Sequence, residues 1–182
     1  MMRGIKLKAL AGLVGVALAG FASLAQADDQ GTQGGIGIHY GIGDHFQRFN
    51  LQYETPSIWT IPLGSSWGRI DVTPEIGVAY WLANGGDKPK SVWQLNAIPM
   101  FRWWATQQFY VEAGVGPTLF SRTYFAGRNY STAFQFGDHI GAGFLIDKHN
   151  RVGVRISHFS NASIKTPNPG FTMVQATYTY QF

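Results

Sequence analysis

The sequence predicts an all-β protein, an eight-stranded antiparallel transmembrane β-barrel, on three observations. Beyond residue 27 the apolar residues recur with a period of two, not 3.6. They fall into eight separate runs, an even number. The faces opposite them carry Arg, Asp, Glu, Asn and Gln, which suits a closed barrel with a polar interior and an apolar exterior. Composition is consistent with this. Among 182 residues there are 23 glycines, no cysteine, 15% aromatic and 13% charged residues. That excludes a disulfide scaffold and a disordered tail.

Residues 1–27 precede the fold. Arg3, Lys6 and Lys8 form a basic start, Ala9 to Leu24 an apolar run, and Ala25-Gln26-Ala27 a small-residue cleavage pattern. Together they read as a secretory signal. The apolar run is below the ~20 residues that a spanning helix needs. Removing it brings the formal charge from +4 to +1. The basic excess therefore belongs mostly to the leader, and no nucleic-acid partner is expected. The mature domain is expected over 28–182.

The eight runs follow in order. Ile36, Ile38, Tyr40 and Ile42 alternate with Gly37, His39 and Gly41. Phe49, Leu51 and Tyr53 alternate with Arg48, Asn50, Gln52 and Glu54. Ile70 to Tyr80 alternate with Arg69, Asp71, Thr73, Glu75 and Gly77. Trp93 to Trp103 alternate with Gln94, Asn96 and Arg102. Phe109 to Leu119 alternate with Tyr110, Glu112 and Thr118. Phe134, Phe136, Ile140, Ala142 and Phe144 form the sixth run. Val152, Val154 and Ile156 begin the seventh, and Val174 to Phe182 end the chain. Successive side chains of a strand point to opposite faces, so each run presents one greasy and one polar face.

Period alone does not separate this barrel from a soluble one with an apolar lumen. The polar faces, however, hold Arg69, Asp71, Glu75, Arg102 and Glu112, which a small lumen can pair internally. The remaining Trp and Tyr residues suit girdles at the two membrane interfaces. The ending Tyr-Thr-Tyr-Gln-Phe resembles the insertion signal of barrels of the bacterial outer membrane. In lipid only a closed sheet pairs every backbone group. With eight strands the interior is filled by side chains, so no wide pore is expected. Short turns at Ala105-Thr106 and Asp147-Asn150 mark the periplasmic end. Longer segments at Ala83–Lys90, Ser121–Ser131 and Asn161–Gly170 mark the external end. The segment Pro56–Trp67 does not fit, since it would be a long periplasmic turn.

The chemistry lies on the lipid-facing phase. Two steps beyond Ile156 on the same face stand His158 and Ser160, near the external end. Residues i and i+2 of a strand lie roughly 6.5–7 Å apart, within reach of an imidazole and a hydroxyl. Hydroxyl oxygen becomes a useful nucleophile when an adjacent base takes its proton.

Around this pair run His158-Phe159-Ser160-Asn161 and Pro167-Asn168-Pro169-Gly170, with Phe136-Gly137-Asp138 upstream. These motifs resemble the outer-membrane lipid A deacylase family, PagL. The resemblance implies hydrolysis of the acyl chain ester-linked at position 3 of lipid A. It implies His158 as general base, Ser160 as nucleophile, and Asn161 near the oxyanion together with backbone N–H groups of the following loop. The family completes its triad with an acid, usually Glu, at the start of the last strand. Here that position is Thr172, which keeps the outward phase but brings no charge. Folding the sixth and seventh runs about Asp147–Asn150 sets Asp138 almost opposite His158, so Asp138 is a candidate replacement acid.

Two functions follow. One is an integral membrane esterase acting on lipid A or lipopolysaccharide. The other, motivated by Thr172, is a catalytically impaired or non-enzymatic barrel with a structural or lipid-binding role. Outer-membrane lipid surrounds either one, and a homodimer is compatible with both. No cofactor is implied, and no spacing of His and carboxylates suggests a metal. His39 and His139 fall on inward phases as packing residues. Arg122, Arg128, Lys88, Lys90 and Lys165 are expected to be solvated loop charges.

Overall fold

A computed structural model describes residues 31–64, 67–86 and 88–182. The leader expected over 1–27 lies outside the described residues. The strands are β1 (Gly35–Gly43), β2 (Phe46–Glu54), β3 (Trp59–Pro62), β4 (Arg69–Ala83), β5 (Ser91–Trp104), β6 (Phe109–Phe120), β7 (Tyr124–Phe125), β8 (Arg128–Asn129), β9 (Phe134–Leu145), β10 (Asn150–Ser160) and β11 (Phe171–Gln181). Eight of them follow one another round the wall as β2-β1-β11-β10-β9-β6-β5-β4, and β4 pairs back with β2. Every pairing in this ring is antiparallel. The eight-stranded ring closes on itself, as a sheet in hydrocarbon must; β3 is appended to β4 and has that one strand partner among the described residues.

The segment that fitted badly is not a loop. Pairing of β2 along β4 stops at Glu54↔Glu75. After a short interruption β3 resumes it, from Trp59↔Val72 to Pro62↔Arg69. Thr55 N–H and Ile58 N–H bond to Pro74 O and Val72 O at 3.0 and 2.9 Å, holding the interruption against β4. The chain reverses only at Leu63–Gly68, where Leu63 N–H bonds Gly68 O at 2.9 Å. Gly68 has φ +70°, and a Cβ there would lie 1.8 Å from Trp104 O, so the reversal requires glycine. The β9–β10 turn, at the same end, is closed by Asp147, which accepts from His149 N–H and Asn150 N–H, both at 2.8 Å.

The exterior is greasy, with Ile38 60% and Val154 58% exposed. Lipid tails cover this belt. The lumen is filled and layered. Toward the periplasmic side Arg102 pairs with Glu54, Glu75 and Glu112, Arg151 with Glu54, and Arg155 with Glu75 and Glu112. Buried ions are costly when left alone. Here each carboxylate meets two guanidinium groups and each arginine has more than one acceptor or partner. Of the ion-pair residues read from the sequence, Arg102, Glu75 and Glu112 join this network. Arg69 and Asp71 form a separate pair at 3.2 Å, near the periplasmic end.

Above the ionic layer sits an aromatic plug of Phe46, Trp81, Phe120, Phe125, Tyr130, Phe159 and Phe171. Arg48 separates the two layers. It bonds Gln94, Gln175 and Asn50, and its guanidinium lies 5.7 and 5.6 Å from the Trp81 and Phe159 rings. The plug corrects the assignment of Trp and Tyr residues to membrane girdles. Trp81, Trp104, Tyr110 and Tyr130 are buried inside. The three on barrel strands occupy the inward phase, and an eight-stranded lumen needs large side chains to fill it. Trp59, Trp67 and Trp93 remain exposed on the outer surface.

Candidate active site

β10 carries the expected parity. Val152, Val154 and Ile156 face out, while Ser157 and Phe159 are fully buried inside. His158 and Ser160 share the outward phase at the external end of the strand and are half-buried. Register fixes their neighbours. His158 lies opposite Thr172 on β11 and opposite Asp138 on β9, and Ser160 lies opposite Phe136. Asp138 is thus directly in register with the histidine. Opposed residues of neighbouring strands have Cβ atoms about 4.5–5.5 Å apart. A hydroxyl and a carboxylate therefore flank the imidazole from its two sides. The adjoining inward pair, Ser157 opposite His139, is joined by a 2.6 Å bond between His139 Nδ1 and Ser157 Oγ. This braces the same two strands from within the lumen. His39 is likewise buried in the interior.

His158 Nδ1 lies 2.8 Å from Thr172 Oγ1. This bond fixes the ring's rotation, and Nε2 has no hydrogen-bond partner among the described residues. Nε2 lies beside Gly170, where a Cβ would come within 2.6 Å of His158 Cε1 and 3.0 Å of Nε2. Gly170 has φ +66°, so two independent reasons reserve the position for glycine. The nearest donor to Ser160 Oγ is Ala162 N–H, at 3.4 Å, long for a firm N–H···O bond. Among the described residues no hydrogen bond joins Ser160 to His158. In an unliganded site such a bond is often long and tightens on binding substrate.

Asn161 sits differently from the position the sequence suggests. It follows the inward phase of Phe159 and is fully buried. Its amide donates to Tyr130 O at 3.0 Å and Lys165 O at 2.8 Å. Both N–H bonds are spent on organising the loop, so the side chain is not presented to Ser160. The next two residues, Ala162 and Ser163, have φ 52° and 64°. Non-glycine residues at such angles cost of order 1–3 kcal/mol each and persist where surrounding contacts hold them. Neither belongs to a strand, and Ser163 N–H has no protein acceptor among the described residues.

One further residue enters that sequence reading missed. Asn168 Oδ1 accepts from Asn161 N–H at 3.1 Å, and its amide NH₂ has no protein partner among the described residues. The signal was present as an asparagine between two prolines, Pro167 and Pro169. Two flanking residues with fixed φ hold such a side chain in place.

Comparisons with known proteins identify the family and the fold. A family model described as Lipid A 3-O-deacylase (PagL) matches residues 47–181. A protein named lipid A deacylase PagL from Bordetella bronchiseptica is 58% identical over 97% of both chains. One of the same name from Pseudomonas aeruginosa is 30% identical over 98% of both. The crystal structure of the outer membrane enzyme PagL superposes with a TM-score of 0.73 at 27% identity, covering 81% of this chain and 99% of that one.

Proposed function

The chain belongs to the PagL lipid A 3-O-deacylase family, and from that membership we propose that Ser160 and His158 perform the hydrolysis. The protein is an outer-membrane enzyme, an ester hydrolase whose substrate is lipid A. The observation that carries the assignment of residues is the shared outward face of His158 and Ser160, with Nδ1 tied to Thr172 and Nε2 left unengaged.

In this reading the 3-linked acyl ester slides in from the outer leaflet. His158 Nε2 takes the Ser160 proton as Oγ attacks the carbonyl carbon. Negative charge develops on the carbonyl oxygen. The donors available for it are the backbone N–H groups of Ala162 and Ser163 and the amide of Asn168, with Asn161 holding the loop that presents them. Preorganised donors of this kind act on charge that appears only in the transition state. Collapse returns the proton from His158 to the departing sugar hydroxyl. Water then enters, His158 takes its proton as the oxygen attacks the acyl-serine ester, and that proton passes to the departing Ser160 Oγ, releasing a free fatty acid and the starting enzyme.

The non-enzymatic reading rested on Thr172. The hydroxyl there still bonds Nδ1 and holds the ring's orientation, but it adds no negative charge. Asp138, on the other flank of His158, is the group we assign to stabilise the imidazolium. A carboxylate on the lipid-facing side is costly without such a partner. The domain over 28–182 is taken to follow removal of the leader. A homodimer, if formed, would have to join through the greasy belt away from β9–β11, so that lipid can still reach Ser160.

Mass spectrometry of lipid A from cells expressing each protein tests the assignment. Wild type is expected to yield lipid A short of one acyl chain, and Ser160→Ala and His158→Ala to leave it intact. Wild-type cleavage by either variant would remove that residue from the mechanism.

A further inference from the structure

We infer that Arg128 is a positioning residue for hydrolysis, acting through Gly170 on the His158 imidazole. The inference rests on the reading of His158 as the base.

The sequence placed Arg128 among solvated loop charges, but its guanidinium is tied at two points. Nη1 donates to Gly170 O at 3.2 Å, and Nη2 donates to Asp44 Oδ2 at 2.9 Å. Its Cζ lies 5.9 Å from the Phe171 ring, in the aromatic plug. Only 31% of the side chain is exposed, against 67% for Asp44. Arg128 thus joins the β1–β2 turn, the β7–β8 hairpin and the last residue before β11.

Gly170 gives this bridge its consequence. It touches the His158 ring closely enough that an added methyl group would collide with Cε1. It also immediately precedes Phe171 and Thr172, the latter holding His158 Nδ1. The position of the Gly170 peptide therefore bounds the ring on the Nε2 side. Two other bonds fasten the same loop to the hairpin, Ser131 Oγ to Pro167 O at 2.7 Å and Asn161 Nδ2 to Tyr130 O at 3.0 Å. The hairpin is a splint for the 161–170 loop, and Arg128 is its contact at the histidine end. Arginine suits this place because its planar, rigid fork sets two separate nitrogens on two acceptors, whereas an ammonium group offers one compact nitrogen.

The test separates positioning from phosphate binding and from folding. Purified wild type, Arg128→Ala and Arg128→Lys are assayed on lipid A and, separately, with a neutral alkyl fluorophosphonate that labels an activated serine and has no sugar phosphates. Arg128→Ala is expected to lower kcat about tenfold with KM within twofold, the scale of a modest misplacement. The labelling rate should fall by a similar factor, the final extent of labelling should stay complete, and Arg128→Lys should recover less than half of the loss. Heat-modifiable migration in gels should match wild type. A rise in KM with unchanged labelling rate would assign Arg128 to substrate phosphate and overturn the proposal. A reduced labelling extent at unchanged rate would make it a folding residue and overturn it equally. Labelling that persists in Ser160→Ala would instead defeat the assignment of the nucleophile, and this proposal with it.

Discussion

His158 and Thr172 meet across the β10–β11 pair, Nδ1 to Oγ1 at 2.8 Å, in the register that sets them opposite each other. A hydroxyl at this point does one part of what a triad acid does. It fixes the rotation of the ring, but gives the imidazolium no counter-charge.

Thr172→Val should therefore lower kcat by about 10–100-fold, less than the ~10⁴-fold loss seen when a triad acid is neutralised in a soluble serine protease. Thr172→Glu should raise kcat several-fold by adding the missing charge. Release of fatty acid from lipid A in detergent micelles measures both. An unchanged rate in the valine variant would show that the bond to Thr172 has no catalytic part.

Asp138→Asn keeps shape and removes charge from the other flank of His158. If Asp138 balances the imidazolium, kcat should fall at least about tenfold, since opposite charge at this range favours the protonated ring. Restoration of activity by Thr172→Glu in the Asp138→Asn background would show that the two positions supply the same charge. A full rate in Asp138→Asn alone would make the residue structural.

Gly170→Ala meets both a positive φ and a contact at 2.6 Å from His158 Cε1. The ring must move, and a displacement near 1 Å can cost about 10²-fold. The expected result is a folded, heat-modifiable barrel with activity down by about that factor. Wild-type activity would show that the imidazole has room the contacts do not suggest.

Glu54→Gln addresses the lumen. Glu54 accepts from Arg102 and Arg151, and neutralising it leaves Glu75 and Glu112 to balance the surrounding arginines. Breaking a buried pair by removing one partner costs about 3–5 kcal/mol. Urea unfolding in lipid vesicles should show destabilisation of this order, with the active-site geometry retained. A change below about 1 kcal/mol would mean that the remaining carboxylates absorb the charge.

Most of the wall could be read from the sequence because lipid outside and polar groups inside impose opposite demands on alternate residues. Ile38 beside His39, or Val154 beside Arg155, keeps the period visible. The same parity placed His158 and Ser160 on one face. Reading failed where the period is interrupted. β3 has four residues, ends at Pro62 and follows Pro56, so it resembles a loop until its pairing with β4 is seen. The β7–β8 hairpin has two residues per strand, too few to show alternation. Trp81 misled for a different reason. It is a greasy residue on the polar phase, and only its height in the barrel explains it. Asn161 is the same parity rule followed one residue further, into the lumen and away from Ser160.

The packed lumen also bears on how freely the cell can use this enzyme. Salt-bridged arginines and an aromatic stopper fill the lumen that a solute channel would need. Many copies can sit in the envelope, editing lipid from its outer side, without making the permeability barrier leak.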